Sequence, residues 1–225
     1  NRVITPADAG HVNASLAAVA KDKIGAAPDL CFTPLKDVNY IEAMVGGNLF
    51  RAFFDGYLQQ NGQQVFLYGR TPQVKICKNV NWEKENPFPD IFAYTGLNIG
   101  YETDTVRCYW EFFAPYAVGS LLSALNNKNL FDITKDKQLR DQIPRLIAET
   151  AAIAAGEGLE LDCEPLVKKL YAAPMNYRFP LQDEINGGGY GEANLISSVL
   201  MNAARSAKIR FMDSSLNKIL KQIYN

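Results

Sequence analysis

The stretch Asn186–Ser198, "NGGGYGEANLISS", concentrates the residues best suited to chemistry. Three glycines, a tyrosine and a fourth glycine lead into an apolar rhythm of helical spacing, so the chain turns tightly into a helix N-terminus. Such a terminus carries unpaired N–H groups and a partial positive charge, both of which favour an anion. A phosphate loop is therefore the first chemistry to test. A dinucleotide fingerprint needs Gly-x-Gly-x-x-Gly directly after a strand, with an acidic residue about 20 positions on. Counted from Gly187, the third glycine position holds Glu192; counted from Gly189, it holds Asn194. No Gly-Lys-Ser/Thr follows, which excludes a Walker loop. The preceding "FPLQDEI" is too polar and too short for a central parallel strand. Two readings remain. Either this is a flexible turn with Glu192 as a first-turn anion, or the glycines clear space over the helix start so that a small ligand reaches Glu192. A carboxylate placed there accepts a hydrogen bond from a substrate hydroxyl or takes part in proton transfer.

The totals narrow the classes. A chain of 225 residues, 48% hydrophobic and 21% charged, has the composition of a globular protein with a substantial core. A formal charge of −1 points to neither nucleic acid nor an anionic membrane as a partner. No stretch approaches the roughly 18 apolar residues of a membrane span. Cys31, Cys77, Cys108 and Cys163 form no Cys-x-x-Cys pair and read as reduced thiols of a cytoplasmic protein. His11 is the single histidine, read as a surface or capping residue. A His-rich metal site is excluded and no metal is expected; a Ser-His-Asp triad would need His11 itself as base. The opening Asn-Arg-Val-Ile, with no initiator Met and no signal-peptide pattern, reads as an internal cut.

Two regions must position these residues. Residues 1–102 read as mixed α/β. They hold a short helix over Val12–Ile24, strands at Leu30–Thr33, Gln64–Tyr68 and Val74–Cys77, a hairpin closed by "GRTP" (69–72), a connecting loop at 81–90 and a last strand at 98–101. Residues 103–225 read as helical. The segment 103–127 is apolar at nearly every turn, so it is a buried helix kinked at Pro115. Leu139, Ile143, Leu146, Ile147, Ala151 and Ala154 form an amphipathic stripe, interrupted at Pro144 and ended by Gly156 and Gly158. Further helices are read over 164–172, around Leu195–Ala203, and at Leu216–Ile223, giving a bundle of about five.

From residue 91 onward, the pieces "TGLNIGY", "YWEFFAPYAVGS", "LFDITKDKQLR", "IAAGEGLELD", "PLQDEINGGGYGEANLISSVLMNAARSAKI" and "SSLNKILKQI" stand in order and at similar spacing to the C-terminal domain of ketopantoate reductases, which the chain resembles. The resemblance implies a Rossmann-like N-terminal domain, here partial, followed by a helical domain like that of 6-phosphogluconate dehydrogenase. It implies NADPH as cofactor, a small 2-oxo acid as substrate and a homodimer. It also implies a catalytic role for Glu192 at the helix start, with Asn194, Ser197 and Ser120 binding substrate. The chain departs from the family elsewhere. Phe112 stands where the family has the lysine that protonates the keto oxygen. Tyr116 and Ser120 stand for two substrate-holding asparagines, Arg178 or Phe179 for a substrate-binding serine, and Ser197 for a later asparagine. Arg107, Arg178 and Tyr116 are candidate stand-ins for the lysine. Gln182 and Asp183 match a family signature with a structural role equally open. No Gly-rich cofactor loop occurs in residues 1–102.

Two functions follow for the test of structure. One is a reductase of a 2-oxo acid other than ketopantoate, as a fragment or with an altered active site. The other is a non-catalytic helical module for dimerisation or small-molecule binding.

Overall fold

The protein is described by a computed structural model over residues 2–4, 29–32, 49–61, 64–77 and 98–225. Five strands, β1 (Arg2–Ile4), β2 (Asp29–Phe32), β3 (Leu49–Asn61), β4 (Gln64–Cys77) and β5 (Asn98–Glu102), lie side by side in chain order. β1 and β2, β2 and β3, and β4 and β5 are parallel, with Val3 opposite Leu30, Leu30 opposite Phe50, and Val74 opposite Ile99. Parallel neighbours demand crossover connections, the mark of α/β architecture. Phe50, Ala52, Val74 and Ile76 are buried together, with Phe54 and Ile99 packed on them.

Two strand expectations are corrected here. β3 went unread in the sequence, and β4 runs unbroken through the "GRTP" expected to turn. Gly and Pro are poor strand residues inside a ladder, but β4 pairs with β5 only from Gln73 to Cys77. Pro72 sits just outside that ladder, so its missing N–H leaves no β5 carbonyl unanswered. The strand at 98–101 is found, as is that at Leu30–Thr33, one residue earlier. The expected helix over Val12–Ile24, the loop at 81–90 and His11 lie outside the described residues.

The chain divides into two compact units. One comprises residues 1–56 and 70–109; the other comprises 57–69 and 110–225. The second unit is helical apart from its piece of the β3–β4 ribbon. It is built on α1 (Thr105–Asn126), whose Trp110, Phe113, Ala114, Ala117, Val118, Leu121 and Leu122 are all buried. Pro115 lies inside this helix.

Next come α2 (Leu130–Lys135) and α3 (Lys137–Arg140), too short to show a period and started by the side chains of Asn129 and Asp136. The amphipathic stripe forms α4 (Gln142–Ala155), with Pro144 in its first turn, where a missing N–H costs nothing. α4 stops at Gly156. A Cβ there would lie 2.1 Å from that of Ala207, so glycine lets two chain segments touch. α5 (Cys163–Tyr171), α6 (Pro180–Asn186), α7 (Gly191–Ser206), a 3-10 turn (Phe211–Asp213) and α8 (Ser215–Ile223) complete the unit. α4 packs against α3, α5, α7 and α8. Its Leu146, Ile147 and Ile153 share the core with Ile196 and Leu200 of α7 and Leu216 and Leu220 of α8. Each such side chain contributes about 1.5–3 kcal/mol by leaving water. Among the described residues eight α-helices follow β5, more than the periodicity alone suggested; none is long and apolar enough to cross a membrane.

Candidate functional site

The glycine turn between α6 and α7 does hold an anion, and the anion is the protein's own. Glu184 of α6 reaches the start of α7, where its Oε1 accepts the N–H of Gly191 at 2.6 Å and its Oε2 that of Glu192 at 2.8 Å. The carboxylate satisfies two of the N–H groups that a helix start leaves unpaired. The glycines make room for it. A Cβ on Gly189 would come within 2.8 Å of Glu184 Cγ, and one on Gly191 within 2.7 Å of its Oε1. Gly188, at φ +81°, supplies the left-handed step that a side chain resists. The space cleared over this helix start is therefore filled by Glu184 rather than left to a ligand or a phosphate.

Glu192, the second residue of α7, turns the other way, toward α1. The Tyr116 hydroxyl donates to its Oε1, and Ser120 Oγ lies 3.4 Å from the same oxygen. Tyr116 and Ser120 are four apart on α1 and so share a face. Phe112, one turn before, stacks on Tyr116 with ring centroids 5.6 Å apart and planes 15° from parallel. Phe179 meets Tyr116 edge-on at 6.0 Å, and Tyr177 meets Phe179 at 5.0 Å. Tyr57 and Tyr68, from the ribbon segment of this unit, pack on Tyr177 at 4.8 and 6.3 Å. Gly119 admits Phe179, since a Cβ there would strike the ring at 2.5 Å. Aromatic edges and faces thus surround Tyr116, whose hydroxyl donates to Glu192.

Burial pushes Glu192 up to about 7, and the negative charge of Glu184 adds to the effect; the hydrogen bonds from Tyr116 and Ser120 oppose it. Tyr116 is itself driven well above the ordinary phenol range by burial and then by Glu192, so it remains a donor. Burial likewise raises Tyr177. A carboxyl that exchanges its proton near neutrality is suited to acid–base work.

The residues expected to join Glu192 divide. Ser120 is brought to it. Asn194 is exposed, and its Oδ1 accepts the Tyr224 hydroxyl at 2.8 Å. Ser197, partly exposed, places its Oγ 3.6 Å from Met201 Sδ. Successive helical residues step about 100°, which carries Asn194 to the far side of α7 from Glu192. Of the stand-ins for a proton donor, Tyr116 alone touches Glu192; Arg107 pairs with Asp104 at 3.6 Å and Arg178 with Asp183 at 3.3 Å. Gln182 is structural. It accepts the Phe179 N–H at 3.0 Å and donates to the Lys128 carbonyl at 3.1 Å. Glu184 was missed in sequence, although a glutamate just ahead of a glycine run is the available signal.

No group of residues able to hold a metal occurs among those described. A dinucleotide needs backbone N–H groups at a glycine-rich strand-to-helix turn. Among the described residues the one glycine-rich helix start is closed by Glu184, so it does not fit a cofactor pyrophosphate.

No family model matches the sequence, and no curated protein is similar to it in sequence. Solved structures are similar in fold. The ternary complex of D-mandelate dehydrogenase with NADH and anilino(oxo)acetate superimposes at a TM-score of 0.84, with 16% identity, over 100% of this chain and 75% of that one. The dimeric ketopantoate reductase of Staphylococcus aureus gives 0.77 at 14% identity, over 99% of this chain and 75% of that one. The 2-dehydropantoate 2-reductase of Geobacter metallireducens gives 0.75 at 12% identity, over 88% and 67%. The resemblance carried by the order of motifs after residue 91 is thus borne out where such identities speak: this chain has the fold shared by the ketopantoate reductases and D-mandelate dehydrogenase.

Proposed function

We propose that this protein is an oxidoreductase of the ketopantoate-reductase type, interconverting a 2-oxo acid and a 2-hydroxy acid with a nicotinamide cofactor. NADPH is the form implied by the family resemblance. The observation that carries the reading is Glu192: a carboxyl at the start of α7, poised at about 7 beside Tyr116 and Ser120, in a fold shared with reductases. A D-mandelate dehydrogenase of that fold has been solved with NADH and an oxo-acid derivative, which supports both the cofactor class and the substrate class. When bound, a reduced nicotinamide supplies hydride to a carbonyl carbon.

The chain's own residues receive the substrate. Glu192 hydrogen-bonds its hydroxyl or keto oxygen, and Ser120 fixes Glu192 from behind. Asn194, on the far side of α7, and Ser197, set against Met201, are given no part in holding the substrate. Phe112, where the family holds a lysine, offers a ring instead of a charge, so a 2-oxo acid with an apolar side chain is favoured over hydroxylated ketopantoate. A homodimer is proposed by analogy with the dimeric relative.

The test is consumption of NADPH or NADH with a panel of alkyl and aryl 2-oxo acids, together with cofactor binding by calorimetry. The expected result is turnover that falls about 100-fold or more in Glu192→Gln. Turnover of no 2-oxo acid and binding of neither cofactor would overturn the reading and leave a helical binding or dimerisation module.

A further inference from the structure

The two oxygens of Glu192 are not equivalent. Oε1 faces both donors from α1, the Tyr116 hydroxyl and Ser120 Oγ at 3.4 Å, whereas Oε2 accepts no hydrogen bond from any described residue. In a protonated carboxyl the oxygen that accepts hydrogen bonds acts as the carbonyl, and the other carries the proton. Two donors on Oε1 therefore assign the acidic hydrogen to Oε2. We propose that Glu192 is the proton source of this site, delivering its hydrogen from Oε2 to the keto oxygen of the substrate, with Tyr116 as the positioning residue that holds Oε1. This deepens the reductase reading and rests on it for the identity of the acceptor.

The transfer balances simply. The Oε2–H bond breaks and leaves its electron pair on the carboxylate. A new O–H bond forms on the substrate oxygen, which takes up the carbonyl π pair; the hydride that carbon gains is the chemistry a reduced nicotinamide would supply if bound. Tyr116 and Ser120 then hold the carboxylate until solvent returns a proton. A lysine is unnecessary in such a scheme.

The surroundings keep the acid neutral without a cation. The groups that act on Glu192 are Tyr116 and Ser120 from α1 and Glu184 from α6; Tyr177, from the segment before α6, feels the Glu192 charge in turn. Glu184 is negative and opposes ionisation, whereas Tyr116 and Ser120 favour it. Each of the two strongest neighbours therefore has a removable effect of known sign.

The measurement is an infrared titration of the protein without cofactor, following the C=O stretch of the protonated carboxyl that disappears in Glu192→Gln. Its midpoint is expected at about 7. Tyr116→Phe removes a bond to the charged form, so its midpoint moves up, on the order of tenfold in proton affinity. Glu184→Gln, which keeps an oxygen acceptor for the helix start, moves it down. In turnover, the alkaline fall of the reduction rate follows each midpoint, and oxidation of the hydroxy acid rises where reduction falls. A Glu192 band that titrates below pH 5 or is unmoved by both variants overturns the proposal, as does an alkaline limb of turnover that survives in Glu192→Gln. An expected titration in a protein that reduces no 2-oxo acid supports the proton store and removes the reductase reading. Turnover with an unmoved limb does the reverse.

Discussion

Two helices of the second unit begin on a carboxylate borrowed from another helix, and they use it differently. At α8, Glu149 of α4 accepts the N–H of Ser215 at 3.0 Å and of Leu216 at 3.2 Å through Oε2. Ser214 adds its own hydroxyl to the N–H of Asn217 at 3.0 Å. That start is doubly secured by ordinary capping chemistry. At α7, Tyr190 in the cap position contributes no side-chain bond, and Glu184 is the cap. The contrast shows what the glycines are for. They give up local capping so that a full negative charge stands next to Glu192. One carboxylate then serves the helix and raises the proton affinity of the site.

If so, the two helix starts respond differently to pH, and this is the largest effect expected. Glu192 is held at about 7 in the folded protein against an ordinary value of 4.5. Between those values the folded state keeps a proton that the unfolded chain has released. Stability therefore falls as pH rises through this window and levels off above 7. The full span amounts to at most about 3 kcal/mol. Glu192→Gln lacks this term, so relative to wild type it gains stability from pH 4.5 to 8. Urea unfolding at both ends checks this; parallel stability curves for the two proteins would remove the special status of the α7 start.

The sequence displayed one part of this arrangement more clearly than the other. α4, α7 and α8 are amphipathic over several turns, so Leu146, Ile196 and Leu220 announced their buried faces. α1 was legible because it has hardly any polar face. β3 was not: Phe50, Ala52 and Phe53 are all buried, so no alternation marks the strand. α2, α3 and α6 are shorter than a helical period can reveal, and their signals are single residues, the caps Asn129 and Asp136 and the first-turn Pro180. Glu192 was singled out by the glycine turn before its helix and Ser120 by a resemblance of motif order, and the structure joins them. The role of Glu184 is a contact across a turn, and residue types at such spacing do not distinguish an acceptor for N–H groups from a solvated charge.

A smaller effect tests whether the α7 cap is truly single. Removing Glu184 as Glu184→Ala leaves the N–H groups of Gly191 and Glu192 without their acceptor, at a cost of about 2 kcal/mol, the upper end for lost caps. Glu149→Ala leaves Ser214 in place at α8 and is expected to cost about 1 kcal/mol. Chemical denaturation of the two variants at one pH decides the point. Equal losses, or a larger loss at α8, would show that α7 has support beyond Glu184.

The smallest effect is the most diagnostic, because its sign depends on the partner. Gly191 has no positive φ, so alanine fits its backbone, and alanine favours a helix over glycine by up to about 1 kcal/mol. In wild type, however, the new Cβ lies 2.7 Å from Glu184 Oε1 and displaces the carboxylate from its N–H groups. Gly191→Ala should then destabilise wild type by about 1 kcal/mol but leave Glu184→Ala unchanged or slightly firmer, a coupling of at least about 1 kcal/mol in a double-mutant cycle. Additive losses would mean that the glycine serves the backbone itself. A reversal of sign would mean that it serves the glutamate, and that the turn is shaped around a charge placed beside Glu192.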